Sequence, residues 1–204
     1  MPGTPTLDQN AFRARNDNGS ETTATWKAAN NTNWSQAVDT NFRVRFLIQE
    51  KAGNNPVNMT CQLQYNLAGA GWNNVTGSSS VVRASSSTQF TDGTLTTEQM
   101  GGAQSFSDGE MDEVDGLCNA PEADMGANQE TEFEFSLQIR SVDVTNGQTL
   151  QLRCTYNVGT ATYTNTPTIT VVEGTSYTDE MGAAFEGLGM LRQPMTPRTI
   201  VVPY

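Results

Sequence analysis

The sequence contains no histidine. Without imidazole there is no Ser-His-Asp or Cys-His nucleophile in its usual form, and no His-ligated metal site. Lysine occurs only at Lys27 and Lys51, and the remaining nine cations are arginines, against 22 carboxylates. The resulting net charge of −11 repels polyanions, so nucleic acid is not an expected partner. No apolar run reaches the roughly 18 residues of a membrane span. The opening MPGTPTLDQN lacks the basic and apolar regions of a secretory signal. Neither membrane insertion nor export is therefore expected. The three cysteines, Cys61, Cys118 and Cys154, include no CxxC, which excludes the common zinc and redox spacings.

Charged residues make up only 16% of the chain, so solubility falls to Asn, Thr, Ser, Gln and Gly. That composition is common in secreted, adhesive and virion proteins. Helical periodicity is almost absent. Wherever the chain is apolar it alternates with period two, and Gly, Asn, Asp or Ser clusters separate the runs. AFRARN (Ala11–Asn16) opens the series, and NFRVRFLIQE (Asn41–Glu50) is its strongest member. In the latter, Phe42, Val44 and Phe46 share one face and Arg43 and Arg45 the other. MTCQLQYNL, AGAG and WNNVTG read as a hairpin. SSVVRA reads as an edge strand, and Thr88–Ser107 as irregular chain with one helical turn in TDGTLTTEQM. TEFEFSLQIRSV, TLQLRCTYNV and TPTITVVE complete seven to nine strands.

Such spacing predicts an all-β fold, an immunoglobulin-like antiparallel β-sandwich with extended N- and C-terminal arms. The expected divisions are an N-terminal arm over residues 1–10, a sandwich over 11–173 and an assembly arm over 174–204. Cys61 and Cys154 would both point inward. They are either reduced thiols or a bridge that echoes the Cys…Trp…Cys pattern through Trp72.

Chemistry-bearing groups are few. DGEMDEVDGLCNAPEAD (Asp108–Asp124) reads as a long exposed acidic loop. Within it Asp108, Glu110 and Asp112 alternate in the manner of calcium ligands, although the glycine and glutamate of an EF-hand are missing. Calcium is thus the one candidate cofactor, set against a simply solvated loop. Trp26, Trp34, Trp72 and Tyr65 are candidates for a sugar-binding platform, set against core packing. Arg43, Arg45, Arg140 and Arg153 would pair across strands or meet carboxylates of neighbouring subunits. No catalytic residue emerges, and no enzymatic activity is expected.

FRARNDNGSETTATW, NFRVRFLIQE, QLQYNLAGAGWNNV, DGTLTTEQM and ETEFEFSLQIRSVDVTNGQTLQLRCTYN together resemble a β-sandwich module. That module is found in bacteriophage virion proteins and as repeats in some bacterial surface proteins. The resemblance covers about Phe12 to Val172 and rests on strands and turns. It implies a capsid decoration or accessory protein of a virion assembled in the bacterial cytoplasm. Its partners would be the major capsid protein or another virion protein, with self-association as well. An adhesion or carbohydrate-binding module is the alternative. The segment LRQPMTPRTIVVPY fits assembly. Pro194 and Pro197 favour an extended path, and Arg192 and Arg198 suit an acidic neighbour. Ile200, Val201 and Val202, ahead of the terminal Tyr204, suit strand addition. The same run could instead close its own sheet.

Overall fold

The computed structural model describes residues 3–119 and 125–173, and these form two β-sheets packed face to face. In sheet A, β1 (Thr6–Asn16), β3 (Phe42–Glu50) and β10 (Gln129–Ile139) lie side by side in long antiparallel register. The short β12 (Thr160–Thr162) and β6 (Val82–Ala84) form its edges. Two further short strands, β7 (Ser105–Phe106) and β8 (Met111–Asp112), join β10 in parallel. Sheet B runs β2 (Trp34–Ala37), β13 (Thr168–Val172), β11 (Thr149–Tyr156), β4 (Thr60–Leu67) and β5 (Asn73–Asn74). Its last member, β9 (Leu117–Asn119), also pairs with β4. The β-sandwich expected from the alternation is the architecture present.

Alternation puts Phe42, Val44, Phe46 and Ile48 of β3 and Phe133, Phe135, Leu137 and Ile139 of β10 between the sheets. There they meet Leu63, Tyr65, Leu150, Leu152, Ile169 and Val171 of sheet B. Each such side chain contributes about 1.5–3 kcal/mol on burial. Trp34 fills the β2 end of this core, its ring centroid 6.3 Å from that of Phe12 and 6.2 Å from that of Phe42.

Three expectations need correction. The N-terminal arm placed at residues 1–10 is strand from Thr6 onward. Leu7 is buried in the core. The Gln9 side chain ties the sheets together, donating to Asn165 O at 2.7 Å and accepting from Cys154 N at 2.8 Å. A register shift between Gln9 and Ala11 interrupts the alternation, which hides this first half of β1 from a periodicity reading. TDGTLTTEQM holds no helical turn. Residues 93–96 instead pair with 109–111 through Gly93 N to Met111 O, Met111 N to Thr94 O and Thr96 N to Gly109 O. The acidic stretch is not an exposed loop throughout its described part, because β8 and β9 lie within it and bury Met111, Asp112 and Cys118. Its residues 120–124 lie outside the described residues. So does the entire assembly arm 174–204, including Arg192, Pro194, Pro197, Arg198, Ile200, Val201, Val202 and Tyr204.

Candidate functional site

The outer face of sheet A is as dry as its inner face. Arg13-x-Arg15, Arg43-x-Arg45 and Glu130-x-Glu132-x-Glu134 all point away from the core, yet Arg15, Arg43, Arg45, Glu132 and Glu134 are fully buried. The segments around 17–32 and 87–112 cover them. Glu134 is the hub. Its Oε1 accepts from Arg43 Nη1 at 3.0 Å, and its Oε2 from Arg15 Nη1 at 2.9 Å and Arg45 Nε at 2.5 Å. Arg45 also donates to Glu132, Glu21 and Thr97 O, and Arg15 to Glu21 O and Ala24 O. The backbone amides of Gln99 and Met100 bond Glu132. Each covering segment is thereby pinned through its own backbone to a strand of the sheet. Trp26 lies over the rim, with the guanidinium carbons of Arg13 and Arg15 both 4.3 Å from its centroid. Among the described residues every ion pair involves Arg15, Arg43 or Arg45.

The charges respond accordingly. Burial alone would raise Glu21, but the Thr97 amide and the Arg45 guanidinium hold it below its ordinary value. For Glu132 burial prevails and its pKa is raised despite Arg45. Arg45 loses to burial and gains more from Glu134 and Glu132, so its pKa rises. Arg43 and Arg45 thus pair within the fold. Among the described residues, neither Arg140 nor Arg153 pairs with a carboxylate within 4 Å.

The proposed calcium ligands do not converge. Asp108 is exposed. The Glu110 carboxylate accepts from Asn119 N. Asp112 is buried and clasps its own turn, accepting from Val114 N, Asp115 N and Gly116 N at 3.3, 3.2 and 2.8 Å. Among the described residues no three His, Cys, Asp or Glu side chains are grouped to hold a metal. Glu110 and Asp112 are instead committed to separate backbone amides, Asn119 N for the first and the 114–116 turn for the second, so their alternation in sequence does not bring the three carboxylates to one point.

Burial pushes the Asp112 carboxyl up to about 6, with the Asp115 charge adding to it and three backbone amides opposing. A folded pKa above the ordinary 3.8 stabilises the fold fully below 3.8, and that contribution is lost as pH rises through about 6. Glu21 and Glu50 are lowered, so their stabilisation is lost below about 4.5. Stability is therefore expected to rise as pH falls from 7 to about 5, then to drop under further acidification. Thermal unfolding from pH 4 to 8 measures this. An Asp112→Asn variant that keeps the full rise would remove Asp112 as its cause.

Cys61, Cys118 and Cys154 are buried free thiols. The Cys61–Cys154 bridge is absent, and the two residues lie on neighbouring strands of sheet B rather than across the sandwich. There Cys61 stands opposite Tyr156, and Cys154 opposite Leu63. Burial pushes the Cys61 and Cys118 thiols well up, which leaves them inert packing groups.

The four aromatics named as a sugar platform are dispersed. Trp34 and Tyr65 are core residues, Trp26 caps sheet A, and Trp72 alone lies on the outer side of sheet B. Trp72 acquires partners that the sequence reading missed. The Arg153 guanidinium carbon sits 4.1 Å from the Trp72 ring centroid and 5.3 Å from that of Tyr163. Gln64 Oε1 accepts from Arg153 Nε and Nη2 at 3.0 and 2.9 Å, and Gln64 Nε2 donates to Asn74 at 2.8 Å. Within the six strands of sheet B there is no Asp or Glu, and Arg153 is the only charged residue. The outward side chains of β4 and β11 are all partly exposed. Among the described residues, sheet A is sealed on the outside by ion pairs, whereas the outer side of sheet B is partly exposed and its strands carry no acid.

No protein-family model matches the chain, no curated protein is similar to it, and no solved structure matches its fold.

Proposed function

We propose that the protein is a non-enzymatic structural component of a bacteriophage virion. In this reading it is a capsid decoration or accessory protein with an immunoglobulin-like sandwich, bound to the particle exterior and to neighbouring subunits through its C-terminal segment. The supporting observation is the division of the chain into a compact unit, Met1–Glu173, and a second unit, Gly174–Tyr204. The first unit contains a complete two-sheet core whose buried charges are spent on internal bonds. The second carries Arg192 and Arg198 and the β-branched run 199–202. Such a segment can add to the edge of another subunit's sheet through backbone hydrogen bonds. Repetition over a symmetric shell sums weak contacts. An adhesion or carbohydrate-binding role has less support, because the aromatics that would build a platform are divided between core and opposite faces.

Deleting residues 174–204 is expected to leave the thermal unfolding of the sandwich unchanged and to abolish incorporation into particles, scored as copy number by mass spectrometry. A truncated protein that still reached full occupancy would sink this proposal.

A further inference from the structure

The open face of sheet B has the composition of a protein interface. Interface centres are depleted in Asp, Glu and Lys and enriched in Trp, Tyr and Arg. Trp72, Arg153 and Tyr163 are stacked together on the outer side of a sheet whose strands contain no acid, in a protein of net charge −11. Their geometry is preset. Gln64 fixes the guanidinium through two hydrogen bonds and is itself held by Asn74, so little side-chain freedom remains to be lost on binding. Among the described residues Arg153 Nη1 has no hydrogen-bond partner, which leaves donors for an incoming carboxylate.

A surface of the opposite character lies beside it. The paired segments 92–96 and 109–113 carry Asp92, Glu110 and Glu113, with Asp115 just beyond, and none of these has a cationic partner within 4 Å among the described residues. Glu110 is raised by burial and by the Asp92 and Asp115 charges, which repel it. Leu95 and Val114, 51% and 54% exposed, add apolar area to the same strip. The strip flanks sheet B: Leu117 pairs with Gln62 of β4, and the Gln62 amide donates to Val75 O and Gly116 O.

We propose that the Trp72–Arg153–Tyr163 face of sheet B docks on the acidic strip of a second copy of this chain, with Arg153 of one protomer meeting Asp115 of the other. Two complementary patches set side by side suit a two-fold contact, in which each protomer offers its basic aromatic face and its acidic strip at once. Aromatic and guanidinium area on one side meets Leu95 and Val114 on the other, while the desolvated charge pairs set register. The inference deepens the assembly reading and rests on it for its biological setting. The contact itself uses only residues of the sandwich.

The test uses the full chain in sedimentation velocity up to on the order of 100 µM, a range that detects a micromolar dimer. The wild-type protein is expected to dimerise, and Arg153→Glu and Asp115→Arg each to weaken dimerisation at least about tenfold. An equimolar mixture of the two variants is expected to recover the dimer, because both contacts in the mixed pair then join opposite charges. Near-UV circular dichroism confirms that each variant is folded, and Asp92→Arg replaces Asp115→Arg if the latter is not. A wild-type monomer, an Arg153→Glu protein that dimerises normally, or a mixture that stays monomeric overturns the proposal. So does a monomer whose tryptophan fluorescence responds to N-acetylglucosamine tetramer and loses that response in Arg153→Glu, which would assign the face to carbohydrate. Deleting residues 174–204 should leave the dimer intact, so failure of the dimer and failure of the tail as an assembly segment read out separately.

Discussion

Replacing Glu134 by glutamine is expected to destabilise the protein by about 3–5 kcal/mol, the cost of leaving buried charge uncompensated. The hub carboxylate faces Arg15, Arg43 and Arg45, all three fully buried. Arginine cannot escape burial by losing its proton, so the charge must stay in place or the covering segments must open and admit water. Glutamine has nearly the same shape but turns an N–H₂ group toward a guanidinium, adding repulsion to the loss of the ion pairs. The loss is a large share of a typical stability of 5–15 kcal/mol. In urea the unfolding midpoint should fall by about 2 M. A shift below about 0.3 M would mean that Glu132, Glu21 and Asp17 neutralise the arginines without the hub. Because arginine does not titrate in the accessible range, this loss should persist at pH 5.

The second large effect is expected at Gly109, for steric reasons. A Cβ placed there would lie 1.9 Å from the Glu132 carbonyl oxygen and 2.8 Å from Thr131 Oγ1. The first of these is backbone of β10 and cannot rotate aside. Thr96, almost fully buried, bridges the same gap: Gly109 N donates to its hydroxyl at 2.9 Å, and the hydroxyl donates to Glu132 O at 2.6 Å. A Gly109→Ala chain must lift residues 107–112 off β10. That withdraws Met111 from its buried position and loosens the neighbouring segment that satisfies Glu132 and Glu21. The cost is expected to be about 2–4 kcal/mol, comparable with other overpacked sites. Calorimetry should show a melting temperature lower by roughly 4–16 °C, given about 2–4 °C per kcal/mol at this size. A change of a degree or two would show that β8 is dispensable.

Both predictions concern a layer that was half legible in the sequence. The alternation in NFRVRFLIQE correctly assigned Phe42, Val44 and Phe46 to one face and Arg43 and Arg45 to the other. It did not reveal that the second face is buried as well. Period two separates faces without stating which of them meets water, and burial here depends on segments distant in sequence, such as Thr97–Met100 over Glu132. Arg15, Glu21, Glu132 and Glu134 were therefore missed as a cluster, although the repeats Arg13-x-Arg15, Arg43-x-Arg45 and Glu130-x-Glu132-x-Glu134 were a usable signal. The acidic stretch misled in the opposite sense. Charge density suggested an exposed loop and a calcium site, whereas Asp112 folds inward to clasp the turn at Val114–Gly116.

The sequence by itself determined the all-β class, most of the strands and the inward set of core side chains, because these follow from local alternation and turn chemistry. It also excluded histidine-based catalysis outright. Only the tertiary structure decided that Cys61 and Cys154 share one sheet, that Tyr163 joins Arg153 and Trp72 outside it, and that sheet A is sealed by charge while sheet B lies open. Those outcomes depend on strand order and on long-range covering segments, which alternation along a single strand does not encode.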